Sequence, residues 1–327
     1  KFNEAFIELI KIAPTVNIFS VFSTIPPSGS RSCTGADCST MTVVTNTDPR
    51  ISWSALDSGG SNMKRYELWR APDLGGSPGF WRVVPGKENL SVGITNTTDN
   101  PVDGTYWYGI HAVDNASNCI MENAKDCATD LPPGDGVTRT VLGPIKVVVD
   151  KTPPITNLIS VAGDIEPPFW DTVNDRPTSK TDIVVSGEAG MFCRWDTSDR
   201  VYSAMLSTRQ CAVDAAFPAN RICSLGFLSE LATYTRHVSC KDAAENQQSI
   251  SQNLSITFGV DWTAPSTPGL PSILFPPSIL SPTNDTTPTW NWSSSFEAIS
   301  SVAYTVQWSQ SASFTPFTEL TASSNSF

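Results

Sequence analysis

Two stretches decide the fold: VVVDKTPP at residues 147–154 and FGVDWTAP at residues 258–265. Both contain the pattern V-D-x-T-x-P, in which a short β-branched run passes into a proline-containing connector. The two aspartates of the pattern, Asp150 and Asp261, lie 111 residues apart, about the length of one β-sandwich domain with its linker. A repeat of this period predicts a chain built from similar domains in series.

Two further repeats support this organisation. AVDNASN at 112–118 and CKDAAEN at 240–246 share D-x-A-x-N, which suits a tight turn because Asp and Asn side chains cap backbone amides. The other repeat sets a proline four residues before a tryptophan, in Pro49–Trp53 and Pro288–Trp292. A strand pattern containing tyrosine follows in both places, at Tyr66–Leu68 and Tyr304–Val306.

Short runs rich in β-branched and aromatic residues fill most of the chain and are bounded by Gly, Pro, Asn, Asp or Ser. Such runs without intervening helices predict β-sandwiches. The proline-rich connectors between the predicted domains favour extended backbone, so we expect semi-rigid spacers.

Residues 1–13 form the one convincing amphipathic helical pattern of the chain, and Pro14 ends it. One side of the helical wheel is apolar and contains Phe2, Phe6, Leu9 and Ile10. Three interpretations stay open. The arm packs on its own domain, docks onto a neighbouring subunit, or forms a strand with alternating Phe6, Glu8, Ile10 and Ile12.

Residues 14–150 resemble a fibronectin type III domain, with matches at the strand-B tryptophan (Trp53), strand C (66–71) and strand F (104–114). In residues 151–262, matches that include the Cys193-Arg-Trp segment, Cys211, Cys223 and the segment from Cys240 to Asn246 resemble the disulfide-bearing Ig-like repeats of large prokaryotic surface proteins. Residues 263–327 open like another fibronectin type III domain and stop before its later strands. The resemblance implies an all-β fold of tandem Ig-like and fibronectin type III sandwiches, preceded by a short helical or extended arm at 1–13.

The eight cysteines are even in number and form no C-x-x-C pair, which favours structural disulfides in an oxidising compartment over a metal cluster. Their closeness in sequence suggests two small loops, Cys33–Cys38 and Cys119–Cys127. The resemblance implies the other two pairs: Cys193–Cys240 on opposing core strands, and Cys211–Cys223 across the excursion between them.

The charge balance excludes several classes of protein. With 21 Lys and Arg against 32 Asp and Glu, the net charge is −11, which argues against a face that neutralises nucleic-acid phosphates. No apolar run reaches the length of a membrane helix. The chain begins at Lys1 without a recognisable signal peptide, so we expect a processed protein or a fragment. Six N-x-S/T sequons are possible glycosylation sites: Asn89, Asn96, Asn115, Asn253, Asn284 and Asn291.

No catalytic motif is recognisable, and we predict that the protein is not an enzyme. His111 and His237 both fall in F-type strands, where a packed or solvent-facing role is expected. Calcium is the one cofactor that the residues suggest, with candidate ligands at Asp114 and Asn118 in one turn and Asp242 and Asn246 in the other. The junction acids Asp150 and Asp261 would complete such a site at a domain boundary. Turn capping is the alternative explanation of these residues.

Four tryptophans lie outside obvious strand-core positions: Trp81, Trp107, Trp170 and Trp262. Packing in loops and linkers is preferred over sugar binding. The sequence as a whole predicts a non-enzymatic extracellular structural protein, a subunit of a surface filament, surface layer or adhesive stalk. It would self-assemble through its arm and last domain, with a surface glycan or host-cell molecule as a possible further partner. The alternative is a carbohydrate-binding or spacer module of a secreted or surface-anchored hydrolase.

Overall fold

The computed structural model describes residues 14–25, 29–33, 38, 40–58, 60–116, 144–172, 180–274, 289–297, 301–311, 313 and 315–322, without the side chains of 33, 273 and 274. The regular structure of these residues is β-strand, apart from three short 3-10 helices at Tyr202–Ala204, Ser207–Arg209 and Ile250–Gln252. The predicted all-β fold is therefore confirmed. The contacts divide the chain into two units: Lys1–Pro154 with Lys241–Gln248, and Ile155–Cys240 with Ser249–Phe327.

The described residues of the first sandwich form ten strands in two sheets. They are β1 (Thr15–Phe22), β2 (Arg31–Cys33), β3 (Thr42–Thr45), β4 (Arg50–Leu56), β5 (Met63–Leu74), β6 (Ser77–Pro78), β7 (Arg82–Val83), β8 (Asn96–Thr98), β9 (Gly104–Asp114) and β10 (Ile145–Val149). One sheet has the order β2-β1-β4-β8, and the other has the order β3-β10-β9-β5-β6, with β7 also paired to β5. This strand order is that of an Ig or fibronectin type III sandwich.

The core of the first sandwich lies between these two sheets. Phe19 and Ile51 are fully buried from one sheet, and Leu68 and Ile110 from the other. Trp53 meets the ring of Tyr66 edge-on, with 5.4 Å between the ring centroids. The alternation of apolar and polar residues along β1 and β4 thus buries one face, as the period of two requires.

The second sandwich repeats the layout of the first. Its strands are β11 (Asn157–Val161), β12 (Phe169–Asp171), β13 (Asp182–Ser186), β14 (Phe192–Asp196), β15 (Ala212–Val213), β16 (Asn220–Ser224), β17 (Ala232–Lys241) and β18 (Leu254–Val260). The sheet orders are β11-β13-β16-β15 and β12-β18-β17-β14. A short strand runs parallel to the last long strand in both sandwiches, β3 beside β10 and β12 beside β18. The repeats in the sequence therefore mark equivalent positions of one architecture.

Each sandwich also contains a tyrosine that closes the loop before its long central strand. The Tyr106 hydroxyl donates to the carbonyl of Val102 at 3.0 Å. The Tyr234 hydroxyl donates to the carbonyl of Ser229 at 3.0 Å and accepts from its N–H at 2.8 Å. These bonds form the tyrosine corner of Ig-type sandwiches, which fixes the entry into the strand.

The last described part of the second unit contains two strand pairs. β19 (Ser272–Leu274) pairs antiparallel with β20 (Thr289–Asn291), and β21 (Tyr304–Trp308) pairs antiparallel with β22 (Thr318–Ala322). Trp292 is buried and meets Tyr304 edge-on at 5.3 Å, the same contact that Trp53 makes with Tyr66. The third repeat of the sequence therefore produces the same local packing.

Candidate functional site

Two disulfides lie in the core of the second sandwich. Cys193 pairs with Cys240 and Cys211 pairs with Cys223, and all four residues are buried. These are the two pairs that the resemblance implies. The expected placement of Cys193 and Cys240 on opposing strands is wrong, because β14 and β17 are neighbours in one sheet and the two Cα atoms are 4.1 Å apart. Facing sheets lie about 10 Å apart, so this disulfide joins strands laterally.

The other cysteine predictions fall mostly outside the described residues. Cys38 is buried and disulfide-bonded. The Cys33 side chain, Cys119 and Cys127 lie outside the described part, so the pairs Cys33–Cys38 and Cys119–Cys127 stay predictions. The arm residues Phe2, Phe6, Leu9 and Ile10 also lie outside it.

The second predicted calcium turn is closed by its own hydrogen bonds. The Asn246 N–H and side-chain amide donate to the two Asp242 carboxylate oxygens at 2.8 and 2.7 Å. The same amide donates to the Asp150 carbonyl at 2.9 Å, and the Gln248 amide donates to the Pro154 carbonyl at 3.0 Å. These bonds are those of turn-capping residues. Within the described ranges, no group of three His, Cys, Asp or Glu side chains is placed to hold a metal.

The first predicted calcium turn is described only in part. Asp114 is fully buried, and Asn118 lies outside the described residues. Asp261, the junction acid of the second repeat, is also buried, and its N–H donates to the Asp171 carbonyl at 2.9 Å. Calcium binding remains a prediction of the sequence.

The Asp150 carboxyl shows a charge conflict within the first unit. Burial raises the pKa of Asp150, and the nearby carboxylates of Asp242 and Asp103 raise it further, against the opposing hydrogen bond from the Thr152 N–H. Because the pKa of the folded state lies above its ordinary value, ionisation of Asp150 destabilises the folded state as pH rises through that pKa. Below the unfolded-state pKa the carboxyl is protonated in both states, and the conflict is absent.

Replacing Asp150 with asparagine should therefore raise the thermal midpoint at pH 7 and leave it almost unchanged at pH 3. Thermal unfolding followed by circular dichroism measures both midpoints in the presence of a chelator. Glu88→Gln removes an exposed acid as the matched control and should change neither midpoint. A lower midpoint for Asp150→Asn at pH 7 would contradict the charge conflict. Repeating the pH 7 melt with calcium tests the metal prediction, since a true ligand makes calcium stabilise the parent protein more than the variant.

The asparagines of the sequons differ in their exposure and in the hydrogen bonds of their side chains. Asn89 and Asn96 are exposed, whereas the amide of half-buried Asn253 donates to Asp199 at 2.7 Å and to the Arg200 carbonyl at 2.8 Å. Exposure therefore favours Asn89 and Asn96 over Asn253 as glycosylation sites.

Asn115 is exposed and Asn291 is half-buried, and both side chains form hydrogen bonds. The Asn115 side-chain amide donates to the Ser61 carbonyl at 3.0 Å, and the Asn291 side-chain oxygen Oδ1 accepts from the Ser272 hydroxyl at 2.6 Å. Asn284 lies outside the described residues. Glycosylation itself stays a prediction at every one of the six positions.

Both histidines lie on strands beside an acid. His111 is fully buried in β9 next to Glu67, whose carboxylate lies 3.8 Å from His111 Nδ1. Burial alone would raise the pKa of Glu67, but the adjacent His111 and the hydrogen bond from Arg65 hold it below its ordinary value. His237 Nδ1 lies 3.9 Å from Asp199. The histidines are thus packed strand residues, as the sequence predicts.

Trp81 and Trp107 are buried, so they do not present the exposed rings that sugar stacking requires. They pack with Trp69 and Ala71 on the outer side of the sheet that contains β5 and β9. The Trp107 indole N–H donates to Asp73 at 2.7 Å. The sequence did not mark these two residues as core positions, but both are packed, because this sheet is covered on both faces.

Trp170 and Trp262 are half-buried and line a cavity of about 540 Å³ in the second unit. The Trp170 ring packs against the backbone of Gly259 on the adjacent strand. Of the four candidates, these two keep part of their surface accessible. Trp170 packs on Gly259 and Trp262 packs against the second core, so both rings make packing contacts.

A polar network that sequence reasoning missed closes one end of the core of the first sandwich. Asp99 is 7% exposed and accepts hydrogen bonds from Arg70 Nη1 at 2.6 Å, the Tyr108 hydroxyl at 2.7 Å and the Asn100 N–H at 2.9 Å. Burial and the Asp99 carboxylate raise the pKa of Tyr108, so its hydroxyl remains a donor. Burial alone would lower the pKa of Arg70, but Asp99 and Tyr108 more than offset it and keep the guanidinium charged.

This network forms the wall of a cavity of about 410 Å³ on the first sandwich. Arg70 and Lys87 line it together with Thr98, Asp99 and Asn100, and two apolar residues complete the lining. A signal for the network was present in the sequence: Arg70 shares the core-facing alternation of Tyr66 and Leu68, and a charge at such a position needs a partner.

No family model matches the chain, and no curated protein matches it. Among solved structures, the chicken CNTN1 FN1-FN3 domains match 86% of this chain and 83% of theirs, at 13% identity and a TM-score of 0.30. The Dpr2 Ig1-Ig2 complex with DIP-Theta Ig1-Ig3 matches 75% of this chain and 65% of its own, at 8% identity and a TM-score of 0.25. The human Desmocollin-1 ectodomain matches 68% of this chain and 36% of its own, at 10% identity and a TM-score of 0.23. At these TM-scores the likeness carries no argument, and the fold assignment rests on the strand orders.

Proposed function

We propose that the chain is a non-enzymatic extracellular structural protein, a self-assembling subunit of a cell-surface filament, surface layer or adhesive stalk. The observation that carries the proposal is the pair of buried disulfides in the second sandwich, Cys193–Cys240 and Cys211–Cys223. Buried structural disulfides persist in oxidising compartments and are rare in the cytosol. The described residues contain no helix long and apolar enough to cross a membrane.

Repeated sandwiches support a structural role because each repeat has its own core. The first core is made between the sheets that contain β1 and β9, and the second between the sheets that contain β13 and β17. The V-D-x-T-x-P connectors that follow each sandwich are rich in residues that favour extended backbone. A series of such domains suits load-bearing or spacing outside a cell.

Assembly is proposed to use the arm at residues 1–13 of one subunit and the last strands of another. The hairpin of β21 and β22 carries the exposed apolar residues Trp308, at 47% exposure, and Leu320, at 41%. An arm with alternating apolar residues fits such a surface by adding a strand, a known mode of association between chains. The sugar-binding alternative is weakened by the burial of Trp81 and Trp107.

Deleting residues 1–13 should abolish the polymer that electron microscopy detects, while the circular dichroism spectrum of the sandwiches stays unchanged. Phe6→Ser, which alters one apolar residue of the arm, should lower the polymer yield several-fold. Asn3→Ser changes a residue outside the apolar set and is the matched control. Normal polymer from the deletion variant would contradict assembly through the arm.

A further inference from the structure

The cavity of the first sandwich brings two cations together on an acidic protein. Arg70 and Lys87 both line it, although the chain carries a net charge of −11. Asp99 is the one acid among the lining residues, so the charge of the lining is one positive. The elements that form it belong to a single sandwich: β5 supplies Arg70, and the segment after β8 supplies Asp99 and Asn100.

The guanidinium of Arg70 is held in place before any ligand arrives. Asp99 fixes Nη1 at 2.6 Å, and the guanidinium carbon lies 5.1 Å from the centroid of the Tyr106 ring. Asp99 is itself fixed by its bonds to Tyr108 and Asn100. A guanidinium offers five N–H donors, of which this network uses only part, and 28% of the side chain remains exposed. Arg70 is therefore a preorganised donor to an acceptor in the cavity.

Lys87 is placed at the cavity by its backbone. Its N–H donates to the Val84 carbonyl at 2.9 Å, and its carbonyl accepts from the Leu68 N–H at 3.1 Å. Gly86 adopts a φ of +74° in this turn, a conformation that glycine allows at little cost. Within the described part of the chain, no hydrogen bond or ion pair engages the Lys87 ammonium, so the charge is available to a ligand.

We infer that this cavity binds a small carboxylate that also carries hydroxyl groups, of which a uronic acid is the simplest representative. The carboxylate would accept from Arg70 and Lys87, since charge-assisted hydrogen bonds of this kind are the strong ones. The Thr98 hydroxyl, the Asn100 amide and the Asp99 carboxylate supply partners for sugar hydroxyls. A volume of about 410 Å³ lies in the range typical of small-molecule sites.

This inference goes beyond the proposed structural role and does not depend on it. The cavity lies in the first sandwich, away in sequence from the arm and from β21 and β22. Loss of assembly without loss of ligand binding, or the reverse, would therefore separate the two proposals.

The test is a calorimetric titration of the full chain with D-glucuronate, D-glucose and acetate at low ionic strength. Glucuronate should bind measurably, and glucose and acetate should each bind at least tenfold more weakly. Lys87→Gln should weaken glucuronate binding five- to tenfold. Lys64→Gln removes an exposed lysine of β5 outside the cavity lining and should leave the affinity unchanged. Raising the salt concentration should weaken glucuronate binding, because the contact is between charges.

Each opposite result overturns a stated part of the inference. Absence of glucuronate binding, or equal losses in Lys87→Gln and Lys64→Gln, overturns the site. Glucose binding as tight as glucuronate binding overturns recognition of the carboxylate. Acetate binding as tight as glucuronate binding overturns the requirement for hydroxyl groups. Lys87 is chosen over Arg70 because removing Arg70 would leave Asp99 buried with fewer partners, which destabilises the fold.

Discussion

Replacing Cys193 and Cys240 together by alanine should lower the free energy of unfolding by about 4 kcal/mol, through the entropy that the unfolded chain regains. The two cysteines are 47 residues apart, and their bond closes the longer of the two loops in the second sandwich. Both side chains are fully buried, so lost packing adds to this effect. Guanidinium unfolding of the oxidised protein, followed by tryptophan fluorescence, measures the change.

The second disulfide provides the matched control. Cys211 and Cys223 are 12 residues apart, so replacing them by alanine should cost about 3 kcal/mol on the same basis. The expected order is therefore fixed by loop length, with the Cys193–Cys240 variant about 1 kcal/mol less stable. A reversed order, or an unchanged midpoint for either variant, would show that the bonds do not restrain the unfolded chain in this way.

The strand pattern of the molecule could be predicted from the sequence because it follows from local chemistry. Alternating residues bounded by turn formers mark β4 and β9, and the proline before Trp53 marks the entry to a core strand. The third repeat then places equivalent residues in the first sandwich and beside the last strands, so Trp53 and Trp292 make the same contact with a tyrosine. These features follow from local sequence patterns and require no knowledge of which strands become neighbours in a sheet.

Contacts between strands could be predicted less well, because sequence spacing does not say which strands become neighbours. Cys193 and Cys240 were expected on facing strands, yet β14 and β17 lie side by side in one sheet. The alternation of β9 predicts one buried face, but its outer face is covered too, by Trp81 and its neighbours. Both differences arise from tertiary packing. The second is an exception to the common arrangement in which an antiparallel sheet has one buried face and one solvent-exposed face.

The candidate site shows the same division. The turn residues Asp242 and Asn246 could be identified because D-x-A-x-N has a local reason to cap a turn. The network joins three residues that lie up to 38 positions apart in sequence. Arg70 comes from β5, Asp99 from the loop after β8, and Tyr108 from β9. Its one local sign is a charged residue at a core-facing position of β5, which predicts a buried partner but does not say which acid provides it.

Replacing Gly259 with alanine should destabilise the protein by about 2–3 kcal/mol, as overpacking of a filled site does. A Cβ at Gly259 would lie 2.1 Å from Cζ3 and 2.3 Å from Cε3 of Trp170, distances at which the ring must move. Trp170 is directly opposite Gly259 on β12, so the aromatic ring occupies the space that the glycine leaves open. Thermal and guanidinium unfolding measure the loss.

A double-mutant cycle distinguishes this clash from a general effect of alanine at a strand glycine. In the Trp170→Ala background, Gly259→Ala should cost less than about 0.5 kcal/mol, because the ring that it strikes is gone. Gly109→Ala is the matched control in the first sandwich, where the nearest atom to a new Cβ is Cζ3 of Trp81 at 3.5 Å, an ordinary contact. That variant should lose little stability although it also lies beneath a tryptophan. Equal losses at Gly259 and Gly109, or an unrelieved loss in the double variant, would contradict the packing of Trp170 on β18. The expected asymmetry follows from one physical difference, since the gap above Gly109 admits a methyl group and the gap above Gly259 does not.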